Sequence, residues 1–393
     1  MREDGRKNGP HSGGEMEERP LAGAKVAFLV RHAVARRGGD VPVAYCRALR
    51  DLGAAVEVVL FGGGDVGAER LTADGFRTHL VPLPKHSWRW TTSRAVASVL
   101  EAIAPDFVHA RCYDAVIHAS RAIAQGLHAR LIVTHPDPVE RLDRRLRAWP
   151  YRHLPSRVIS PSPSASQAHR RWYGYPPERC VALANPVGDE FFSPPPRNET
   201  LAAQLGLAGA YPVVIWPARL VPRKGHADLL RAWRQVLTEY PDGRLLIVGD
   251  GKLQAKLPKL ASHLGVSEAV IFTGFRADLV DLLSLSDVLA CPSHSETLCM
   301  SVFEAMAAGV PVVSTKVWGP VDHITDGVNG LLVPIGAPTE LAAAIKRLAG
   351  DQELARRLAD AARSYAREHF SFEAFKTGLA RIYVAAMARA CVS

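Results

Sequence analysis

The feature that most constrains this chain is a repeated alternation between short, continuously apolar segments and segments with helical spacing. Strands that are apolar on both faces are typical of a parallel sheet, because helices in the crossover connections cover both of its faces. In the first half of the chain the predicted strands are AKVAFLV (24–30), AAVEVVLF (54–61), FVHAR (107–111), ARLIVTH (129–135), SRVIS (156–160) and CVALANP (180–186). This half is therefore predicted to form an α/β domain.

The alternation stops once, at FFSPPPRNET (191–200). Three consecutive prolines cannot lie inside a helix or a central strand, so this segment predicts a linker. Beyond it the predicted strands are YPVVIWPARL (211–220), GRLLIVGDG (243–251), AVIFTGF (269–275), DVLACPS (287–293), VPVVSTKV (310–317) and GLLVPI (330–335). The chain of 393 residues is thus predicted to form two α/β domains. Open sheets bind ligands outside the carboxyl ends of their strands, so two facing domains would enclose a deep cleft.

Charge and composition exclude several classes of protein. Lys and Arg (48) exceed Asp and Glu (39), and the net charge of +9 favours anionic ligands. Nucleic acid is not an expected partner, because the sequence lacks an RNA-binding aromatic motif, a Cys/His finger and a basic zipper region. No apolar run reaches the roughly 18–20 residues of a membrane helix. Residues 1–22 are polar, without the apolar core of a signal peptide, and predict a disordered tail.

The cysteines give information about the compartment. Six are scattered along the chain, without a C-x-x-C pair or a Cys/His cluster. This pattern is typical of reduced thiols in a cytoplasmic protein. We therefore expect a cytoplasmic location and no metal site.

The most informative motif is ETLCMSVFEAMAAGVPVV, in which Glu296 and Glu304 are separated by seven residues. A predicted strand precedes it, and SVFEAMAAG predicts a helix that ends at Gly309. Glu296 then lies in the loop and Glu304 about one turn into the helix, so the two carboxylates could reach sugar hydroxyls and a ribose diol, or could simply cap the helix. Unpaired amides near the helix N-terminus would suit a phosphate. These amides belong to Cys299, Met300 and Ser301.

A second motif, PARLVPRKGH (217–226), places Arg219 at the end of a buried strand and Lys224 at the start of the next helix. Two cations at one strand-to-helix turn can hold a diphosphate and neutralise the charge that develops when its sugar bond breaks. Arg223 adds a third cation, which we interpret as a surface charge.

The E-x7-E spacing followed by A-M-A-x-G-x-P-V-V resembles the hallmark of retaining glycosyltransferases in the family usually called GT4, and the resemblance covers the second half of the chain. It implies a GT-B fold, in which two Rossmann-like domains face each other across a cleft and the C-terminal helix crosses back to the first domain. The implied domains are an acceptor-side domain (23–192, with 370–393) and a nucleotide-sugar-binding domain (193–369).

The resemblance also implies roles for the motif residues. Glu304 would bind the ribose hydroxyls, Glu296 would contact the transferred sugar, and Arg219 with Lys224 would hold the diphosphate, as in the family's R-L-x-x-x-K-G motif. The family often has Gly-Phe-Gly after the first glutamate, whereas this chain has bulkier residues there. These residues are Thr297, Leu298 and Cys299.

Further site residues follow from weaker matches. The resemblance places the segment Gly274, Phe275 and Arg276 near the nucleobase and the glycine pair Gly38 and Gly39 near the donor phosphates. His135, at the end of a predicted strand, would lie near the donor sugar, with a buried structural histidine as the alternative. The sequence GGGDVG (62–67) matches G-x-G-x-x-G, but it follows the second strand without a clear helix start, so we interpret it as a loop.

The expected reaction is transfer from a nucleoside-diphosphate sugar, by default a UDP-sugar, to a hydroxyl of a small-molecule, glycan or lipid acceptor, in natural-product (aminoglycoside-type) or envelope glycan biosynthesis. The resemblance implies retention at the anomeric carbon without a metal or other cofactor. The basic segment 141–157 is a candidate for peripheral membrane contact, or a solvated surface. Alternative functions are a GT-B-shaped epimerase or phosphorylase and a non-catalytic nucleotide-sugar-binding protein.

Overall fold

The computed structural model describes residues 19–31, 41–61, 66–82, 90–135 and 155–388. In this part of the chain the strands are β1 (Lys25–Val30), β2 (Ala55–Phe61), β3 (Arg77–Val81), β4 (Phe107–Arg111), β5 (Arg130–Thr134), β6 (Pro155–Ser160), β7 (Cys180–Ala182), β8 (Val213–Pro217), β9 (Arg244–Val248), β10 (Val270–Gly274), β11 (Val288–Cys291), β12 (Val312–Thr315) and β13 (Leu331–Val333). The helices are α1 (Val41–Asp51), α2 (Val66–Ala73), α3 (Trp90–Ile103), α4 (Tyr113–Ala124), α5 (Pro163–Tyr173), α6 (Asp189–Phe192), α7 (Glu199–Gln204), α8 (His226–Val236), α9 (Leu257–His263), α10 (Leu279–Ser284), α11 (Met300–Ala308), α12 (Pro320–His323), α13 (Pro338–Gly350), α14 (Gln352–Phe370) and α15 (Phe372–Met387).

The strands form two fully parallel sheets. The first sheet has the order β3-β2-β1-β4-β5-β6-β7, and the second has the order β10-β9-β8-β11-β12-β13. In each sheet the strand order reverses beside the first strand, which is the arrangement of a doubly wound Rossmann-like domain. The central strands are buried along their length, as their continuous apolar sequences predict. The predicted fold class is confirmed.

One strand was not predicted from the sequence. β3 lies at the edge of the first sheet, and its sequence RTHLV contains no continuous apolar run. Only one neighbour pairs with an edge strand, so such a strand is less buried and its sequence carries a weaker signal. The interpretation of residues 62–67 as a loop without a following helix was also wrong in part, because α2 begins at Val66.

Two predicted boundaries need correction. The tail was expected to extend to residue 22, but Leu21 is fully buried in the core of the first domain, and its amide donates a hydrogen bond to the carbonyl of Leu52. The first domain was expected to continue to residue 192, but Val187, Phe191 and Phe192 pack in the core of the second domain. The change from one core to the other therefore precedes the proline segment.

The last described helix, α15, packs against the first domain. Phe375 stacks edge-on against Tyr45 of α1 at a centroid distance of 4.8 Å. The Tyr383 hydroxyl lies 2.8 Å from Nδ1 of the buried His109, and Arg157 Nη2 donates a hydrogen bond of 2.7 Å to the carbonyl of Ala385. The C-terminal helix thus crosses back to the first domain, as predicted.

Segments that follow the carboxyl ends of strands in both sheets contact each other. Ser164, after β6, donates hydrogen bonds from its amide (3.0 Å) and its hydroxyl (2.5 Å) to the carboxylate of Asp322, after β12. The rings of Trp172 and Trp318 pack across the same boundary at 5.7 Å. The carboxyl edges of the two sheets therefore face one another, which is where open sheets of this kind bind ligands.

None of the helices in the described ranges is both long enough and apolar enough to cross a membrane.

The crossing helix gives a stability prediction. Leu379 is fully buried in the core that α15 shares with the first domain, so Leu379→Ala should lower the free energy of unfolding by about 2–5 kcal/mol. Urea denaturation measures this change. Val384→Ala on the same helix, where the side chain is 42% exposed, is the matched control and should change stability by less than about 0.5 kcal/mol. Equal effects of the two substitutions would contradict the packing described for this helix.

Candidate active site

The candidate site lies where the strand order of the second sheet reverses. β8 and β11 are adjacent parallel strands there, and their crossover connections leave toward opposite sides of the sheet. Arg219 and Lys224 follow β8, while Glu296 follows β11. The position is the one at which doubly wound sheets bind ligands. Lys224 and Glu296, which are 72 positions apart in sequence, therefore meet at one edge.

A buried ion pair joins the two loops. Lys224 Nζ lies 2.5 Å from Glu296 Oε1, and the two side chains are only 13% and 5% exposed. The Ser293 hydroxyl donates a hydrogen bond of 2.6 Å to the same carboxylate oxygen. Arg223 Nη1 lies 3.6 Å from Oε2, so this residue faces Glu296 rather than acting as a plain surface charge. The sequence predicted both members of the pair, but it predicted neither their contact nor the part played by Ser293.

The environment keeps Lys224 charged. Burial alone would lower the pKa of its ammonium group, but the charge of Glu296 and the hydrogen bond to it raise the pKa overall. The ammonium also lies 5.8 Å from the ring centroid of Trp216, whose indole nitrogen donates a hydrogen bond to the Lys224 carbonyl. Lys224 is thus held as a cation on a fixed backbone.

Gly225 allows the two loops to approach closely. Its φ is +68°, and a Cβ at this position would lie only 1.9 Å from the carbonyl oxygen of Pro292, after β11. A side chain would therefore push the loops apart. A backbone hydrogen bond of 2.7 Å from His294 to Arg223 adds to the contact.

The helix that begins beside this pair is α11, whose N-cap residue is Cys299. Cys299 has a left-handed backbone (φ 68°), which non-glycine residues rarely adopt. Met300 begins the helix, and the Ser301 hydroxyl donates a hydrogen bond of 2.7 Å to the carbonyl of Pro217, at the end of β8. The start of the helix is therefore fixed against the strand that precedes Arg219, with its first amides directed toward the same edge.

Glu304 lies on α11 and is only 6% exposed. Among the described residues no hydrogen bond stabilises its carboxylate, and burial together with the charge of Glu190 raises its pKa to about 7. A buried carboxylate without a donor is costly, so a ligand that brings hydroxyl donors to this position would be bound favourably.

Arg219 differs from the other cation of its motif. Its side chain is exposed, and we find no hydrogen bond or ion pair between its guanidinium and another described residue. An arginine that projects from the carboxyl edge of the sheet is available to an anionic ligand.

The segment after β10 lies at the far edge of the second sheet. Gly274 has φ +69°, and its carbonyl accepts a hydrogen bond of 2.7 Å from Gly249. Phe275 is 49% exposed. The guanidinium of Arg276 is paired with the carboxylate of Asp278. A flat apolar ring and backbone groups are therefore accessible here, whereas the charge of Arg276 is already neutralised.

His135 does not join the lysine–glutamate pair. Its ring is buried, its Nε2 lies 2.9 Å from the Tyr175 hydroxyl, and it stacks on Tyr173 with an interplanar angle of 7°. Burial and the nearby His169 lower its pKa well below the usual value. These contacts fit the structural alternative that the sequence left open. Gly38 and Gly39, like residues 141–154 of the basic segment, lie outside the described residues.

Two facing Rossmann-like domains, with the last helix crossing back and a cationic site at the reversal of the second sheet, define the GT-B class of glycosyltransferases. Residues 197–365 match the family described as Glycosyl transferases group 1, and residues 41–191 match the family described as Glycosyltransferase Family 4. The alpha-D-kanosaminyltransferase of Streptomyces kanamyceticus is 30% identical over 275 residues, which cover 68% of this chain and 69% of that protein. The chain belongs to the group 1 glycosyltransferase family, and it is an enzyme of that class.

Other relatives match over shorter regions. The lipopolysaccharide core biosynthesis glycosyltransferase LpsE of Rhizobium meliloti is 38% identical over 172 residues, or 44% of this chain and 49% of that protein. A D-inositol 3-phosphate glycosyltransferase of Streptomyces bingchenggensis is 32% identical over 59% of this chain and 53% of its own length. The chain thus spans about half the length of several curated relatives it matches.

Solved structures show the same fold. Anabaena HepE in complex with UDP superposes with a TM-score of 0.79 at 23% identity, covering 91% of this chain and 99% of that one. The sucrose-phosphate synthase of Thermosynechococcus elongatus superposes with a TM-score of 0.76 at 21% identity, covering 93% and 99%. At this level of identity the likeness concerns the fold.

The buried carboxylate of Glu304 gives a prediction about stability and pH. Its pKa of about 7 in the folded protein exceeds its ordinary value of 4.5, so the folded state binds the proton more tightly and stability falls as the pH rises from 4.5 through 7. A shift of this size corresponds to about 3 kcal/mol. Glu304→Gln removes the charge and should therefore stabilise the free protein at pH 8, with a much smaller gain at pH 5.

Denaturant unfolding of both proteins at the two pH values measures the effect. Glu340→Gln, which removes an exposed glutamate from α13, is the control and should change stability little at either pH. A Glu304→Gln variant that is less stable than the parent at pH 8 would mean that the carboxylate has a donor after all.

Proposed function

We propose that this glycosyltransferase transfers a sugar from a nucleoside-diphosphate sugar, with UDP as the nucleotide, to a hydroxyl group, with retention at the anomeric carbon. The observation that carries the proposal is the buried Lys224–Glu296 pair at the reversal of the second sheet. It places a fixed cation and a carboxylate beside the N-terminus of α11, where a diphosphate and its attached sugar would both find partners.

The cationic groups would act on the diphosphate. Lys224 has three N–H donors, of which Glu296 accepts one, so others remain for phosphate oxygens. Arg219 would approach from the exposed side of the same edge. When the bond between sugar and diphosphate breaks, negative charge grows on the phosphate oxygens, and fixed cations stabilise that charge more than they stabilise the bound donor.

The two glutamates would act on different parts of the donor. Glu304, buried on α11 without a donor from the described residues, would accept hydrogen bonds from the two ribose hydroxyls. Glu296 lies in the loop that precedes α11, paired with Lys224, and would contact hydroxyls of the transferred sugar. Retention is typical of the family, and in a retaining reaction of this kind the leaving phosphate itself would take the proton of the acceptor hydroxyl.

The names of the relatives support a class of acceptor. Their names refer to kanosaminyl transfer, to lipopolysaccharide core biosynthesis and to D-inositol 3-phosphate. The kanosaminyl group is a transferred sugar and carries no information on the acceptor, whereas a lipopolysaccharide core and D-inositol 3-phosphate are polyhydroxylated molecules. We therefore infer that the acceptor is a polyhydroxylated small molecule or glycan. Contact with a membrane surface has no support from the described residues.

A panel of nucleoside-diphosphate sugars tests the proposal. A donor present at 100 times its dissociation constant should stabilise the protein by about 2.7 kcal/mol, and only the correct donor should be turned over with a polyhydroxylated acceptor in excess chelator. Stabilisation without turnover of any donor would favour a binding protein, and turnover that needs an added divalent cation would contradict the metal-independent reaction.

The ion pair gives a second prediction about donor binding and turnover. Lys224→Ala should lower kcat by on the order of 10²-fold or more, because a charge-stabilising group is lost. Glu296→Gln should also lower turnover by more than about tenfold, because the hydrogen bonds of a carboxylate to the sugar are worth ~1.5–3 kcal/mol. It should nevertheless bind UDP as tightly as the parent or more tightly, since the carboxylate no longer competes with the diphosphate for Lys224.

Calorimetric titration with UDP and initial rates with the donor distinguish the two variants. Lys346→Ala, which removes a surface lysine paired with Glu239, is the matched control. It should retain both UDP binding and turnover. Loss of UDP binding in Glu296→Gln would show that Glu296, rather than Glu304, holds the nucleotide.

A further inference from the structure

Two cysteines lie close to Glu296 of the ion pair. Cys291 ends β11, and Cys299 is the N-cap residue of α11. Both are buried, and their sulfur atoms are 3.7 Å apart. One ligand atom from each of Cys291, Glu296 and Cys299 can be chosen so that all three lie within 4.8 Å of one another. No metal site was expected from the sequence, because the cysteines are scattered without a C-x-x-C pair or a Cys/His cluster.

This spacing suits a thiophilic cation. Zinc binds thiolate sulfur at about 2.3 Å in tetrahedral sites, and two such sulfurs are then roughly 3.8 Å apart. The observed separation is close to that value, so the two sulfurs could share an ion with little movement. A carboxylate is a further ligand that zinc and related cations accept.

The local charges also permit such an ion. Without metal, the cluster contains the Glu296 carboxylate, the Lys224 ammonium group and two thiols, with the partly exposed guanidinium of Arg223 at its edge. A divalent cation that displaces the two thiol protons leaves the total charge unchanged. Binding of the ion therefore adds no net charge to the interior.

The backbone of Cys299 supports a role for its thiol. Its φ of 68° is a conformation that favours glycine, and it strains the backbone of other residues. Neighbouring Leu298 is pressed against Gly319, where a Cβ would lie 2.3 Å from the Leu298 carbonyl oxygen. The loop is thus held in this form although its N-cap residue is not glycine.

We propose that Cys291, Cys299 and Glu296 form an inhibitory site for one thiophilic divalent cation such as zinc. Ligation of the cation by Glu296 would draw this carboxylate away from Lys224, whose ammonium group donates a hydrogen bond of 2.5 Å to it in the free protein. The pair that holds the diphosphate and sugar would then be broken. The inhibitory part rests on the proposed transferase function, whereas the binding part does not.

Cadmium(II) is the probe, because its thiolate bonds absorb in the ultraviolet. The full chain is titrated under a phosphine reductant, which excludes disulfide formation. The parent for this test carries Cys112→Ser, Cys180→Ser and Cys391→Ser, which remove the two partly exposed described thiols and the one outside the described residues. We expect one bound cadmium, absorption typical of two thiolates, and release of two protons.

Cys291→Ser and Cys299→Ser, made separately, should each weaken cadmium binding by about tenfold or more and halve the thiolate absorption. Cys46→Ser, which removes a buried thiol of the first domain, is the control and should leave the titration unchanged. A titration with no saturable absorption, or one that neither substitution alters, would overturn the site.

Turnover tests the inhibitory part. Zinc should abolish transfer by the parent, and a tighter-binding chelator should restore it. Each single variant, compared with its own metal-free rate, should need at least about tenfold more zinc. Full turnover with the site occupied would overturn the inhibition. Because absorption and proton release need no sugar donor, absence of any transferase activity would count against the proposed function and not against the site.

Discussion

The contact on which the site depends is the buried pair of Lys224 and Glu296. Breaking such a pair by removing one partner typically costs ~3–5 kcal/mol, because the other charge remains buried without compensation. The fold therefore has to bring the loops after β8 and β11 together accurately, and the close approach at Gly225 does so. The pair fixes the ammonium of Lys224 before any ligand arrives, so little reorganisation is left for binding.

The second carboxylate of the site, Glu304, has surroundings opposite in effect to those of Glu296. Glu296 is stabilised by partners within the protein, whereas burial and the repulsion of Glu190 disfavour the charge of Glu304, which accepts no hydrogen bond from the described residues. The first arrangement stabilises the free enzyme, and the second destabilises it in a manner that a ribose diol could relieve. Two residues of the same type, eight positions apart, thus differ because of what lies around them, which is a distinction no spacing rule can express.

Much of the architecture could be predicted because central parallel strands must be apolar on both faces. β8, β9 and β11 carry that signal directly, whereas the edge strand β3 does not. The site was predicted as a set of residues but not as a set of contacts. The pairing of Lys224 with Glu296, and the contact of Ser293 with that carboxylate, depend on β8 lying beside β11. Local sequence does not determine the order of strands in a sheet. His135 shows the converse, since a histidine at a strand end gives no indication of whether its ring turns outward or stacks on Tyr173.

The crossing of α15 has a consequence for biosynthesis. The core of the first domain contains residues from the beginning of the described chain, such as Leu21, and residues from its last helix, such as Tyr383. A ribosome releases these segments hundreds of residues apart, so the first sheet emerges long before the helix that covers one of its faces. The second domain, whose core is nearly continuous in sequence, can fold before α15 covers that apolar face of the first domain. The half synthesised first is therefore the half completed last, and until then its uncovered face is a surface on which chaperones could act.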